Sequence, residues 1–97
     1  MRITLNKFGD ILIARQAGKE SFAAFQPSLK SVLPDEEVEI DFSGVVTFSP
    51  SWGDEFLTPL HKQHGDKLIL INIENNPSVK ETLKILDGIS TIPFKVK

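Results

Sequence analysis

Residues Leu68-Ile69-Leu70-Ile71-Asn72-Ile73 are apolar on both faces. A strand of that kind belongs in the interior of a sheet with cover on both sides, as parallel strands usually are. A second segment, 38–42, alternates instead. Val38, Ile40 and Phe42 are interleaved with Glu37, Glu39 and Asp41, the mark of a half-buried strand. Each is followed by a helix start of the same form, Ser49-Pro50 after the first and Asn76-Pro77 after the second. Ser and Asn cap a helix N-terminus, and Pro suits the first helical position, where its missing N–H would be unpaired anyway. The chain therefore reads β-β-α-β-α-β-α-(β). Strands alternating with helices imply βαβ crossovers, an α/β fold with a mixed, largely parallel sheet. The carboxylates of 37–41 need no cover on their side, so the helices are expected mainly on one face. Strands 38–42 and 68–73 are expected as interior neighbours.

The remaining elements are read the same way. Ile3 and Leu5 alternate with Arg2 and Thr4, and Ile11 to Ala14 follow a turn containing Gly9, which predicts an N-terminal hairpin. Phe22, Phe25, Leu29 and Val32 share one helical face within 15–33. Pro27 predicts a kink there, or two short helices split near Gln26. Trp52, Phe56 and Leu60 share a face of the next helix, which Pro59 is expected to bend or shorten, with 64–66 closing it. Val79, Leu83 and Leu86 share a face of the last helix. Gly88 stands where a left-handed C-terminal cap belongs, and 89–96 offers a final edge strand because of Pro93.

At 97 residues the chain holds one hydrophobic core, so 1–97 is read as a single domain. A hydrophobic fraction of 40 % argues against a disordered chain. The formal net charge of -2 gives no support for nucleic-acid or anionic-membrane partners. There is no cysteine, which removes disulfides, thiol catalysis and thiolate zinc sites and suits a cytoplasmic setting. No apolar run is long enough to span a bilayer, and the N-terminus lacks a signal-peptide pattern.

Catalytic constellations are thin. His61 and His64 form H-x-x-H with Asp66 beyond. No second ligand cluster accompanies them, so they are read as two solvated histidines and no metal is expected. Ser51 lacks the leading glycine of a nucleophile elbow, and the histidines lie about 15 Å along the same helix. Asp54 and Glu55 point about 100° apart on a helix, a poor acid/base pair, and are read as partners of the helix dipole. Trp52, the single tryptophan, has two readings, a core residue or an exposed anchor for a partner. Neither a catalytic residue nor a cofactor is expected.

Val38-Glu39-Ile40-Asp41-Phe42-Ser43-Gly44-Val45, followed by Thr47-Phe48-Ser49-Pro50-Ser51, resembles the signature of STAS domains, the sulfate-transporter and anti-sigma-factor-antagonist modules. The continuation Trp52-Gly53-Asp54-Glu55-Phe56-Leu57 is closer to the bacterial STAS-like family of unknown function. The stretch 68–79 also resembles that family, and the resemblance extends over most of the chain. It implies a non-catalytic protein-interaction or regulatory domain, with an ATP-binding kinase-type regulator as partner class. In anti-sigma-factor antagonists the loop before the second helix carries a regulatory phosphoserine. Matching that loop puts Ser49 on the family's aspartate, Pro50 on the phosphorylated serine and Ser51 on the next position. Proline cannot be phosphorylated, so the switch does not operate at its usual position. The implied partner-binding and regulatory residues are Ser49, Pro50, Ser51, Trp52, Asp54 and Glu55. Because some STAS domains bind nucleotides or other small molecules, a small-ligand or nucleotide-binding module is the alternative. A small enzyme is the third reading.

Overall fold

The computed structural model describes residues 1–89 and 93–97. Strands β1 (Arg2–Thr4), β3 (Val38–Asp41), β5 (Leu68–Ile71) and β6 (Lys95–Val96) form one sheet in the order β1-β3-β5-β6. All its pairings are parallel, with Ile3 opposite Ile40 and Ile40 opposite Leu70. Helices α1 (Arg15–Leu29), α2 (Pro50–His64) and α3 (Pro77–Ile89) supply the crossovers. Every crossover steps the same way across the sheet, and the right-handed rule then places all three helices on one face. There α2 packs between α1 and α3. Two short strands, β2 (Ile11–Leu12) and β4 (Thr47–Phe48), pair in parallel as a separate ribbon leading into α2.

The pleat sorts the side chains of the sheet. Ile3, Val38, Ile40, Leu68 and Leu70 join the core cluster beneath the helices. Arg2, Glu39, Asp41, Ile69 and Ile71 alternate with them and take the opposite face. Ile69 and Ile71 are nonetheless buried. Lys97 reaches Glu39 at 3.9 Å, and because β6 and β3 flank β5 this pair crosses over β5. Arg2 meets the same carboxylate at 3.3 Å. The Lys97–Glu39 pair thus gives the apolar strand cover on its second face, with charged heads that stay wet.

Several expectations need correction. There is no N-terminal hairpin. β1 pairs with β3 and β2 with β4, and residues Leu5–Phe8 form a 3-10 turn between them. That turn buries Leu5 completely and brings Phe8 within 5.3 Å of the Phe56 ring, contacts that a hairpin would forfeit. Helix α1 is one element, because Pro27 falls in its last turn, near the C-terminal end. Helix α2 runs through Pro59 to His64. A mid-helix proline costs about 3 kcal/mol, and burial of Phe56 and Leu57 before it and Leu60 and His61 after it outweighs that loss. Gly88 lies inside α3 rather than capping it, and Ile89 is helical. Of the final strand expected at 89–96, residues 90–92 lie outside the described residues, and β6 begins at Lys95.

Helices α1 and α2 approach closely at Gly18. A Cβ there would lie 2.7 Å from the Trp52 carbonyl oxygen and 3.0 Å from its Cα, so only glycine permits the spacing. Gly18→Ala gains up to about 1 kcal/mol of helix propensity and incurs about 1–3 kcal/mol of overpacking against backbone that cannot rotate away. A net loss of about 1 kcal/mol is expected, read as a lower denaturation midpoint at unchanged m-value.

Candidate functional site

The β2–β4 ribbon delivers the chain to the start of α2. Ser49 is extended, and its hydroxyl works twice. It accepts from the Trp52 amide at 3.3 Å and donates to the Ile13 carbonyl at 2.7 Å. The first bond caps the helix and the second ties the cap to the end of β2. Pro50 takes the first helical position, as expected. Ser51 follows, half-buried, and its hydroxyl makes no hydrogen bond among the described residues. Ser49→Ala is expected to cost about 0.5–2 kcal/mol without abolishing folding, measured by chemical denaturation.

Trp52 is 1 % exposed. Its ring stacks on Phe56 at 4.9 Å and meets Phe48 at 5.8 Å. Of its two readings the core one describes the structure, and the indole is not presented to solvent. Asp54 and Glu55 lie beyond the first turn of α2 rather than at its N-terminus. They also converge instead of diverging. The guanidinium of Arg15, at the start of α1, donates to Asp54 at 3.1 Å and to Glu55 at 2.9 Å. Glu55, then Asp54, raise the Arg15 pKa. Arg15 and the Thr58 hydroxyl in turn hold the Asp54 carboxyl below its ordinary value. The pair acts as a clasp between α1 and α2.

The expected pair of solvated histidines is not found, since one is buried and the other half-buried. His61 is buried and stacks on Phe94 with ring centroids 4.4 Å apart. His64 has a buried Nε2 with no hydrogen-bond partner among the described residues, and desolvation lowers its pKa. No group of three or more metal-ligating His, Cys, Asp or Glu side chains occurs among the described residues.

Three apolar side chains near the α2 start are exposed. Ile11 is 58 % exposed, Ile13 51 % and Val46 61 %. The Val46 amide donates to the Asp10 carbonyl at 2.7 Å, so these residues belong to the ribbon that Ser49 closes. The loops 42–45 and 72–76, at the carboxyl ends of β3 and β5, border an open cleft of about 320 Å³. Asp41, the last residue of β3, is 7 % exposed and accepts from the Ser43 amide at 2.9 Å and the Asn72 side chain at 2.8 Å. Burial pushes this carboxyl up, but the bonds from Asn72 and Ser43 prevail and hold it below its ordinary value. Gly44 and Asn72 both adopt positive φ, 81° and 60°, which these two residue types tolerate best. At Gly44 an added Cβ would strike the Asn6 side chain.

The family described as a STAS-like domain of unknown function (DUF4325) matches residues 18–77. The chain belongs to this family. No curated protein and no solved structure shows a match to the chain. The matched span holds most of the fold that positions the site, from Gly18 in α1 to Pro77 at the start of α3. In this STAS-like domain Arg15 and the exposed β2 isoleucines lie just before the matched span. Sequence reasoning missed all three. The alternation of Ile11, Leu12 and Ile13 does carry a signal for the isoleucines, since one side of so short a strand has to face outward. No local pattern links Arg15 to carboxylates about forty positions away.

Among the described residues, no helix is long and apolar enough to cross a membrane.

Proposed function

We propose that this STAS-like domain is a non-catalytic protein-interaction module whose partner seats on the β2–β4 ribbon and the start of α2. The observation that carries the reading is the exposed apolar set Ile11, Ile13 and Val46 beside the Ser49-Pro50-Ser51 turn. Exposed apolar side chains gathered in one place mark interaction surfaces, whereas scattered ones do not. The family resemblance supports the same location, and an ATP-binding kinase-type regulator is the partner class it favours. Pro50 leaves no hydroxyl at the usual phosphoserine position. Ser49 uses its hydroxyl in two bonds, so a phosphate there would break both the cap and the tie to Ile13. Ser51 is the hydroxyl at this turn free to take a modification. There a phosphate would gain from the helix N-terminus and be repelled by Asp54 and Glu55.

The test uses a partner recovered from the native organism by affinity capture. Ile13→Asp and Val46→Asp are each expected to weaken that partner by about 2 kcal/mol or more. Their denaturation midpoints should barely move, since both side chains already face water. Full affinity in both variants would place the interaction elsewhere.

Small-ligand binding is the second reading, and the cleft between the 42–45 and 72–76 loops favours it. A nucleotide suits the cleft poorly, because no lysine, arginine or histidine is among the described residues lining it.

A further inference from the structure

We propose that the cleft at the carboxyl ends of β3 and β5 binds a guanidinium group, carried by a free small molecule or by an arginine side chain of a partner. The inference rests on the small-ligand reading and uses no residue of the α2 surface, so either can fail without the other.

The cleft is built before any ligand arrives. Asn76 spends both ends of its amide on bracing the walls, donating to the Val45 carbonyl at 2.7 Å and accepting from the Val79 amide at 3.1 Å. Asn72 donates its NH₂ to Asp41 at 2.8 Å. That bond fixes the orientation of the amide and leaves its oxygen as an acceptor. The lining groups with capacity left are the Asn72 oxygen, the Ser43 hydroxyl, the Asn75 amide and the Glu74 carboxylate. Glu74 is exposed and makes no hydrogen bond or ion pair among the described residues.

The balance of these groups chooses the ligand. Each of the four can accept a hydrogen bond, and Glu74 carries a full negative charge. Phosphate brings only acceptors and negative charge, so it meets repulsion and no cation. A guanidinium brings five N–H donors in a rigid planar fork, matched to carboxylate and carbonyl oxygens, and is less strongly hydrated than an ammonium. A volume of about 320 Å³ is at the small end for ligand sites, the scale of one side chain or a small amine rather than a dinucleotide.

The experiment is an amide chemical-shift titration of the whole isotope-labelled domain with two probes. These are agmatine for a free ligand and a blocked glycyl-arginyl-glycine peptide for a partner side chain. Saturable shifts at Ser43, Gly44, Asn72 and Asn75 with either probe support the proposal, and the tighter probe identifies the source. Glu74→Gln should weaken that probe by about tenfold, the loss of one charge-assisted bond. Asn75→Asp, which adds negative charge at the rim, should tighten it several-fold. Glu81→Gln on the outer side of α3 should leave the affinity unchanged, which excludes a general charge effect. The proposal is overturned if neither probe saturates at low millimolar concentration, or if Glu74→Gln binds as well as the parent. It is also overturned if inorganic phosphate shifts the same amides more strongly than either probe.

Discussion

Trp52→Ala is expected to lower stability by about 3–5 kcal/mol, the range for deleting a buried aromatic side chain. A domain of this size has only about 5–15 kcal/mol in total, so the variant should be partly unfolded at ordinary temperature. The expectation follows from position. Trp52 is 1 % exposed, stacked on Phe56 and in ring contact with Phe8 and Phe48. Those three rings come from the first turn of the fold, the ribbon and α2, so the cavity would open where three elements meet. Its backbone also borders Gly18, so collapse into the void is limited by the α1 crossing. Thermal and chemical denaturation measure the loss. A loss below about 1 kcal/mol would contradict the core placement of this residue.

The second large effect is at Asp41. Asp41→Ala should cost about 1–3 kcal/mol at neutral pH, because it removes an ionised acceptor shared by the Ser43 amide and the Asn72 side chain. The same site makes stability depend on acid. The folded pKa of Asp41 is depressed below its ordinary 3.8, so the unfolded chain binds the proton more readily. Its contribution is complete above about pH 4 and is lost as pH falls through the folded value. Asp54 and Glu36 are depressed too and add to that acid limb. His64 acts at higher pH. Its folded pKa lies below 6.5 because its ring is desolvated, so stability is complete above that value and declines as pH falls below it. Midpoints measured from neutral pH downward should show a shallow decline first and a steeper one near pH 4. The steeper limb should flatten in Asp41→Ala. An unchanged acid limb in that variant would remove Asp41 from the account.

What the sequence made legible was local or periodic. The strands expected at 38–42 and 68–73 are interior neighbours, formed at Val38–Asp41 and Leu68–Ile71, and the Ser49 and Asn76 caps form as their cap-proline patterns imply. What it hid depended on distant partners. Gly9 carries a sound turn signal, but whether Ile3 turns back onto Ile11 or pairs with Ile40 is decided by non-local burial of Leu5 and Phe8. Pro59 has a strong local meaning that packing overrides, and Pro27 breaks nothing because it falls in the last turn of α1. Trp52 lies on the same face as Phe56 whether that face meets the core or a partner, so periodicity alone left both readings open. His61 looked solvated because the ring that covers it, Phe94, is more than thirty residues away. The Arg15 clasp has the same origin. At the candidate site, the sequence located the turn at Ser49 through Ser51 but not the apolar ribbon beside it, whose exposure depends on how β2 and β4 pair.

A partner protein is proposed to seat on this ribbon and the α2 start. Mapping the amide and methyl shifts of the intact domain on adding the captured partner tests it most directly. The largest changes are expected on Ile11, Ile13, Val46 and Ser51, with Ile85 and Ile89 on the exposed side of α3 unmoved. Changes centred on α3, or on the charged sheet face of Arg2, Glu39 and Lys97, would contradict it.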